Sequence, residues 1–276
     1  MPLTDVQWAR VEPLLPDRTP KPGGRWRDHH EVIDAIAFKF QTGTQWVHLP
    51  EKYGNWQGVY NRLRIWAADD TSERVFIALM AQADAEEDLA WAVTVDSTIV
   101  RAHQHAAGAL AGEPADHAIV RSRGGLTTKI HIASDGRCRP LAFTLTPSQA
   151  GDAPAFTEIM ARLRVSRRRG RPRTRPDMVL ADKAYSSGAV RDHLRKRGIR
   201  AVIPVPADQQ RHRLRRGSQG GRPPVFDRQT YKQRNTVERC INRLKQWRGI
   251  ATRYEKTATI YLAGLHIAGI LLWSAR

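Results

Sequence analysis

Along residues 1–85 apolar positions recur every three to four residues, the spacing of helices that bury one face. Thr4 stands as a cap ahead of Val6, Trp8, Val11 and Leu15. Asp28 with Glu31 makes a capping-box pattern before VIDAIAFKF, and Thr42-Gly43 ends that run. Asn55 caps WQGVYNRLRIW, which places Arg62 and Arg64 on one helix with Trp56, Tyr60 and Trp66. Two helices around a Gly-containing connection, the second carrying arginines, predict a DNA reader of the helix-turn-helix type. A plain helical bundle with an aromatic core and solvated arginines is the competing reading.

After the acidic stretch AEEDLA the texture changes to short strands rich in Val, Thr and Ile. WAVTVDSTIV comes first. TKIHIAS and RCRPLAFTLT then flank Asp135-Gly136, a two-residue hairpin signal. A helix near Pro154 to Leu163, strand DMVLAD, a helix near Ser187 to Arg197, strand RAVIPV and a helix from Tyr231 to Lys245 complete the order. An antiparallel meander followed by alternating strands and helices predicts an α/β fold with a mixed sheet and helices on its faces. Ala258 to Trp273 is the one long apolar run; it contains His266, falls short of the roughly 20 residues of a membrane span, and reads as a buried helix. Two domains follow: a small all-α one over 1–85 and a larger α/β one over 90–276.

Charge adds a partner. The 276 residues carry 45 Lys and Arg against 27 Asp and Glu, a formal net charge of +18, which points to nucleic acid, expected to be double-stranded DNA; an anionic membrane would also suit that charge, but no apolar run is long enough to span one. Arginine concentrates near 162–176 and 211–228, segments so rich in charge, Gly and Pro that they are expected to be exposed loops. Arg169 and Arg171 flank Gly170 before Pro172, either as a hook for a narrow minor groove or as plain phosphate contacts. No signal-peptide pattern opens the chain, so a cytoplasmic protein is expected, associated with the nucleoid when bound to DNA. Cys138 and Cys240 read as packing residues. His103, His105, His117 and His131 lack the spacing of common zinc sites and are left out of the site.

Acidic residues supply candidate chemistry. Asp96 interrupts an apolar strand, where a charge is costly unless it faces a polar site. Asp182 ends another, at the carboxyl end where α/β sheets place ligands. Taken alone, each aspartate has an ordinary capping role open to it. In YKQRNTVERCINRLK, the side chains of Tyr231, Arg234, Glu238 and Lys245 fall within an arc of roughly 60° on a helix, with Val237, Ile241 and Leu244 on the neighbouring arc.

VTVDSTIVRAH, LADKAY and YKQRNTVERCINRLK together resemble the three acidic motifs of the DDE transposases of bacterial insertion sequences. The spacing of Tyr231, Arg234, Glu238 and Lys245 is similar to that of the subgroup with a Tyr-Arg-Glu-Lys signature. GTQWVHLPEKYGNWQGVYNRLRIW and the closing ATRYEKTATIYLAGLHIAGILLW extend the resemblance along nearly the whole chain. It implies a ribonuclease-H-like catalytic core in which Asp96, Asp182 and Glu238 hold two Mg²⁺ ions, with Mn²⁺ able to substitute. The implied function is a transposase that binds terminal inverted repeats, cleaves DNA at the element ends and joins the 3′ hydroxyls to target DNA, acting as a homodimer or higher. Ala184 departs from the Gly that relatives often carry, which matters only if that backbone needs a positive φ.

On an ideal helix Arg234 lies about 6 Å, and Tyr231 and Lys245 about 10 Å, from Glu238 along the axis. Tyr231, Lys245 and Arg234 are therefore expected to contact DNA flanking the scissile phosphate, with an Arg234–Glu238 pair as the lesser reading for Arg234. Arg62, Arg64, Arg169 and Arg171 complete the expected DNA contacts. The rival functions are a catalytically inactive DNA-binding relative and a ribonuclease-H-like nuclease or resolvase.

Overall fold

The structure, a computed structural model, describes residues 2–17, 27–107, 118–122, 125–167 and 169–276. Helix α1 (Asp5–Val11) opens on a reciprocal cap: Thr4 Oγ1 accepts from Gln7 N, and Gln7 Oε1 accepts from Thr4 N. Val6 points to solvent and Val11 into the core. Helix α2 (His29–Thr42) starts on Asp28, which accepts from His30 N, but the expected box does not close, because Glu31 pairs with Arg27 instead. It ends at Gly43, whose φ of 72° is the left-handed cap glycine adopts without strain. Helix α3 (Trp56–Ala68) begins on Asn55 as expected, and α4 (Thr71–Ala85) follows after two residues.

The connection from α2 to α3 spans 43–55 and contains two 3₁₀ turns, Trp46–His48 and Glu51–Tyr53. A helix-turn-helix closes in about three to four residues. The compact reader expected here is therefore not formed by α2 and α3. Arg62 is a second correction: it shares the inward face of α3 with Val59, Leu63 and Trp66 at helical spacing and is buried, whereas Arg64 is exposed.

Strand β1 (Ala92–Ala102) is followed by α5 (Gln104–Ala107), β2 (Val120–Ser122), β3 (Gly125–Ser134) and β4 (Pro140–Pro147). Helix α6 (Asp152–Arg162), β5 (Met178–Ala181), α7 (Gly188–Lys196), β6 (Arg200–Val202) and α8 (Ala207–Arg215) come next. The chain closes with α9 (Arg228–Tyr231), α10 (Asn235–Lys245), α11 (Arg248–Ala251), β7 (Thr252–Arg253) and α12 (Ala258–Ser274). The strands form one mixed sheet in the order β2-β3-β1-β5-β6, with β4 beside β3 and β7 beside β1. β1, β3 and β4 form the antiparallel meander, while β5 and β6 run parallel to β1. This is the α/β class expected, a mixed sheet with flanking helices.

Three local expectations are corrected. The β3–β4 turn is longer than two residues, because buried Asp135 accepts from the backbone of Arg137 and Arg139 and from the Arg139 guanidinium, and Cys138 rather than Gly136 takes the left-handed φ of 63°. The segment 162–176 is tethered: Leu163 and Val165 are buried, Val165 and Arg173 exchange backbone hydrogen bonds of 2.9 and 2.8 Å, and the Arg173 guanidinium lies 4.0 Å from the centre of the Trp91 ring. Its tip, with Arg169 and Arg171, is exposed, as are Arg164, Arg167 and Arg175. The segment 211–228 begins within helix α8, all of whose residues stay outside the core.

The closing helix α12 is buried along its length and packs on α1, α2, α3, α4 and β4. Gly264 lies against the Phe40 ring of α2 and Gly269 against the Phe76 ring of α4. Arg10 of α1 donates to the carbonyls of Ser274 and Arg276, and Trp273 Nε1 donates to Pro140 O at 2.7 Å. Residues 1–85 therefore share one continuous core with the end of the chain.

Candidate active site

β1 and β5 are neighbours, paired in parallel from Ala92↔Met178 to Val95↔Ala181. The next residue on each is an aspartate. That register sets Asp96 beside Asp182 at the carboxyl end of β5, where Asp182 raises the cost of ionising Asp96. Asp96 Oδ1 accepts from Ser97 N at 2.8 Å and Oδ2 from Arg234 Nη2 at 2.8 Å. Its pKa is nevertheless raised, with burial the largest cause and Asp182 adding to it. Asp182 also caps the short turn Lys183–Tyr185 through Ala184 N, at 2.7 Å. Ala184 has no positive φ, so its departure from glycine carries no backbone strain.

Glu238 arrives from α10. Its stretch is not one straight helix: α9 ends at Tyr231, a 3₁₀ turn covers Lys232–Arg234, and α10 starts at Asn235. Thr236, Val237, Cys240, Ile241 and Leu244 are the buried face of α10. Thr236 Oγ1 lies 2.9 Å from Thr94 Oγ1 on β1, a buried hydroxyl pair that fixes α10 two residues from Asp96 in strand register. Glu238 faces outward, its side chain about half exposed at 48%.

Arg234 joins the two halves. One guanidinium nitrogen donates to Asp96 Oδ2 and the other to Glu238 Oε1, each at 2.8 Å. The Arg234–Glu238 pair given as the lesser reading is present, and Asp96 is added to it. The Tyr231 pKa is raised, chiefly by burial, with the charges of Asp182, Asp96 and Glu238 adding to it and that of Arg234 opposing. Lys245 points elsewhere, donating to Ile99 O at 3.3 Å further along β1. Arg64, Arg169 and Arg171 are exposed and outside this cluster.

A second set of groups borders the site that sequence reasoning missed. Asp152, at the start of α6, accepts from Ser97 Oγ at 2.7 Å and Lys129 Nζ at 3.1 Å. Buried His131 lies 4.0 Å from the same carboxylate, with its pKa pushed down to about 4, mainly by burial. Tyr185 is buried close to Asp152, Asp96 and Asp182, which with burial raise its pKa. Asp152 reads in sequence as an ordinary first-turn acid, and only the β1–β3 register, Ser97↔His131, brings these groups together. His103 and His105 form a separate pair with ring centres 4.6 Å apart, and His117 lies outside the described residues.

Comparison with known families now has geometry to rest on. The model described as "Transposase DDE domain" matches residues 88–273, and "Putative transposase of IS4/5 family" matches 3–76. The chain belongs to the DDE transposase family. Among similar proteins is the putative transposase for insertion sequence element IS6501 of Brucella ovis, 29% identical over 151 residues that make up 54% of this chain and 98% of that one. The uncharacterized protein y4sN of Sinorhizobium fredii is 36% identical over 107 residues, 39% of this chain and 82% of that one. Among solved structures, the Mos1 strand transfer complex aligns over 85% of this chain and 81% of that chain, at 16% identity and a TM-score of 0.27.

A DDE transposase depends on a divalent metal. Its carboxylate oxygens here are hard donors of the kind such cations take. Among the described residues, no three acidic, His or Cys side chains already converge as a ligand set. Arg234 occupies the space between two of the carboxylates, and its buried Nε has no partner. The donor chemistry fits, and the guanidinium holds that position with its own positive charge. No described helix is long and apolar enough to cross a membrane.

Proposed function

We propose that this DDE transposase binds the terminal inverted repeats of an insertion sequence, cleaves the DNA at the element ends, and joins the freed 3′ hydroxyls to target DNA. Two observations support the reading: Arg234 bridges Asp96 of β1 and Glu238 of α10, and the parallel β1–β5 register sets Asp182 next to Asp96. Asp96, Asp182 and Glu238 are the residues to hold Mg²⁺, two ions in this proposal, with Mn²⁺ as a substitute. Bound there, the metal supplies charge stabilisation for attacking and leaving phosphate oxygens and lowers the pKa of water.

The chain's own groups do the rest. Arg234 is released from Asp96 and Glu238 when their charge is taken up elsewhere, and then contacts a phosphate. Tyr231 and Lys245 hold DNA on either side of the scissile bond. Arg64, Arg169 and Arg171, with the +18 charge, bind the duplex backbone. Arg62 supports the helix that carries Arg64. Cutting two ends calls for at least a homodimer in the DNA complex.

The test is a plasmid carrying a candidate element, incubated with Mg²⁺ and the protein. The expected products are nicks that leave 3′ hydroxyls at the element ends, followed by molecules joined to target DNA, with neither formed by Asp96→Ala. Cleavage without joining would favour a nuclease or resolvase, and binding without cleavage an inactive relative.

A further inference from the structure

Behind the carboxylates, between the sheet and α6, lies a cluster of polar side chains. Successive residues of a strand face opposite ways. Thr94 meets Thr236 of α10, so Asp96, two residues on, faces the α10 side. Ser97 faces α6, where its hydroxyl donates to Asp152 Oδ1 at 2.7 Å. The pairing of Ser97 with His131 and of Ile99 with Lys129 brings two basic side chains of β3 onto that same face. Lys129 Nζ donates to Asp152 Oδ1 at 3.1 Å and to Ala150 O at 2.8 Å, which clamps the start of α6. One turn along α6 from Asp152, the Phe156 ring meets the Tyr185 ring edge to face with centres 6.0 Å apart. Tyr185 is buried and belongs to the short turn that Asp182 caps. Helix α6 therefore supports the backbone next to both aspartates, through Ser97 beside Asp96 and through Tyr185 beyond Asp182.

Packing alone does not require a charged group here. The rest of the buried face of α6 is Ala155, Phe156, Ile159 and Met160, and a part-buried ion pair often stabilises no more than apolar residues of similar volume. What a carboxylate adds is direction, because hydrogen bonds to an ionised oxygen are short and strong. Ser97 makes one on each face of the sheet: its N–H donates to Asp96 Oδ1 at 2.8 Å and its hydroxyl to Asp152 Oδ1. We propose that Asp152 is a positioning residue for the metal-holding carboxylates, acting through Ser97 to fix the orientation of Asp96, an inference that rests on Asp96 belonging to a metal site. Asp152 is not a fourth ligand, since it lies across the sheet from the face that α10 covers. Losing its carboxylate frees the Ser97 hydroxyl, and the Ser97 peptide that holds Asp96 Oδ1 is no longer anchored. Outer hydrogen bonds that orient ligands are worth about 10–100-fold in metal affinity or activity.

The experiment measures Mn²⁺ affinity by electron paramagnetic resonance, well below the Tm of each protein, for wild type, Asp152→Ala, Ser97→Ala, the double alanine variant and Asp152→Asn. Each single alanine variant is expected to bind Mn²⁺ about tenfold more weakly. The double variant is expected to lose no more than either one, because both changes break the same link. Asp152→Asn keeps an oxygen that accepts from Ser97 and is expected to restore affinity close to that of the wild type. Wild-type affinity in both alanine variants would overturn the proposal, as would losses that multiply to about a hundredfold in the double variant. A loss in Asp152→Asn as large as in Asp152→Ala would overturn it too, by showing that charge and not the bond to Ser97 matters. If Asp152→Ala fails to fold, Ser97→Ala and Asp152→Asn decide the matter, since the first removes a single oxygen and the second keeps the shape. A wild type that binds Mn²⁺ but cuts no element end would sink the transposase reading and leave the positioning role standing, whereas a wild type that binds no Mn²⁺ would sink the metal site and this role with it.

Discussion

Arg234 and Asp96 stand 138 residues apart in the chain and are joined by a 2.8 Å hydrogen bond. The same guanidinium holds Glu238, so one cation neutralises two of the three carboxylates of the candidate site. Ionised groups this close repel each other when unpaired, and Asp182 adds a third charge. Removing the arginine therefore vacates a position that a divalent cation competes for. Arg234→Ala is expected to tighten Mn²⁺ binding several-fold in the DNA-free protein while lowering cleavage of end DNA. Calorimetric titration alongside a cleavage assay checks both, and weaker Mn²⁺ binding would contradict the competition.

The hydroxyl pair between Thr94 and Thr236 is the tether that aims α10 at β1. Thr236→Val keeps the shape and removes its hydroxyl, leaving Thr94 its 3.1 Å contact to Ser134 Oγ. A buried hydrogen bond is worth about 1 kcal/mol, and for a chain of this size that lowers the Tm by about 2–4 °C. Cleavage is expected to fall by more than this stability loss explains, because Glu238 is displaced. A melting curve beside a rate measured well below the Tm separates the two effects.

His131 and His266 are buried, with pKa values pushed down to about 4 and about 3 by burial. In the unfolded chain both titrate near 6.5. Between pH 6.5 and about 4 the unfolded state binds protons that the native state refuses, so stability is full above pH 6.5 and is lost on acidification. The slope is up to about 1.4 kcal/mol per pH unit for each histidine. His266 sits between the rings of Phe76 and Phe143, with centres 5.5 and 5.9 Å away, so His266→Phe is expected to flatten the acid limb. Denaturant midpoints at a series of pH values measure it.

The helices of 1–85 and the final helix share one core, with Phe40 against Gly264 and Phe76 against Gly269. A fragment beginning at residue 86 would expose most of α12. It is expected to aggregate on expression, and adding residues 1–85 as a separate chain is expected to restore solubility. A soluble fragment with a cooperative melt would show that the α/β part folds by itself.

Much of this architecture was legible because local rules and tertiary packing agree. Thr4, Asp28 and Asn55 cap the helices they precede, and the meander followed by alternating strands and helices folds into the mixed sheet that pattern implies. Asp96 could be named as a charge interrupting an apolar strand, and Asp182 as a charge ending one. Their adjacency depends on β1–β5 pairing, a long-range fact that no local pattern carries. Where reading failed, a competing interaction won. Asp135 binds the backbone of residues beyond the turn and lengthens it, and a 3₁₀ turn over Lys232–Arg234 breaks the Tyr231–Lys245 helix. Arg62 lies on the buried face of an amphipathic helix, a possibility its neighbours Leu63 and Trp66 already signalled. Asp152 had no marker at all, because its importance comes from Ser97, Lys129 and His131 on two other strands.

The central claim is that Asp96, Asp182 and Glu238 form one metal-binding site, and Mn²⁺ binding followed by electron paramagnetic resonance tests it without reliance on turnover. Asp96→Asn, Asp182→Asn and Glu238→Gln are each expected to weaken Mn²⁺ binding by about tenfold or more, as loss of one carboxylate from a shared hard-donor site requires. Wild-type binding retained by any two of the three variants would contradict it.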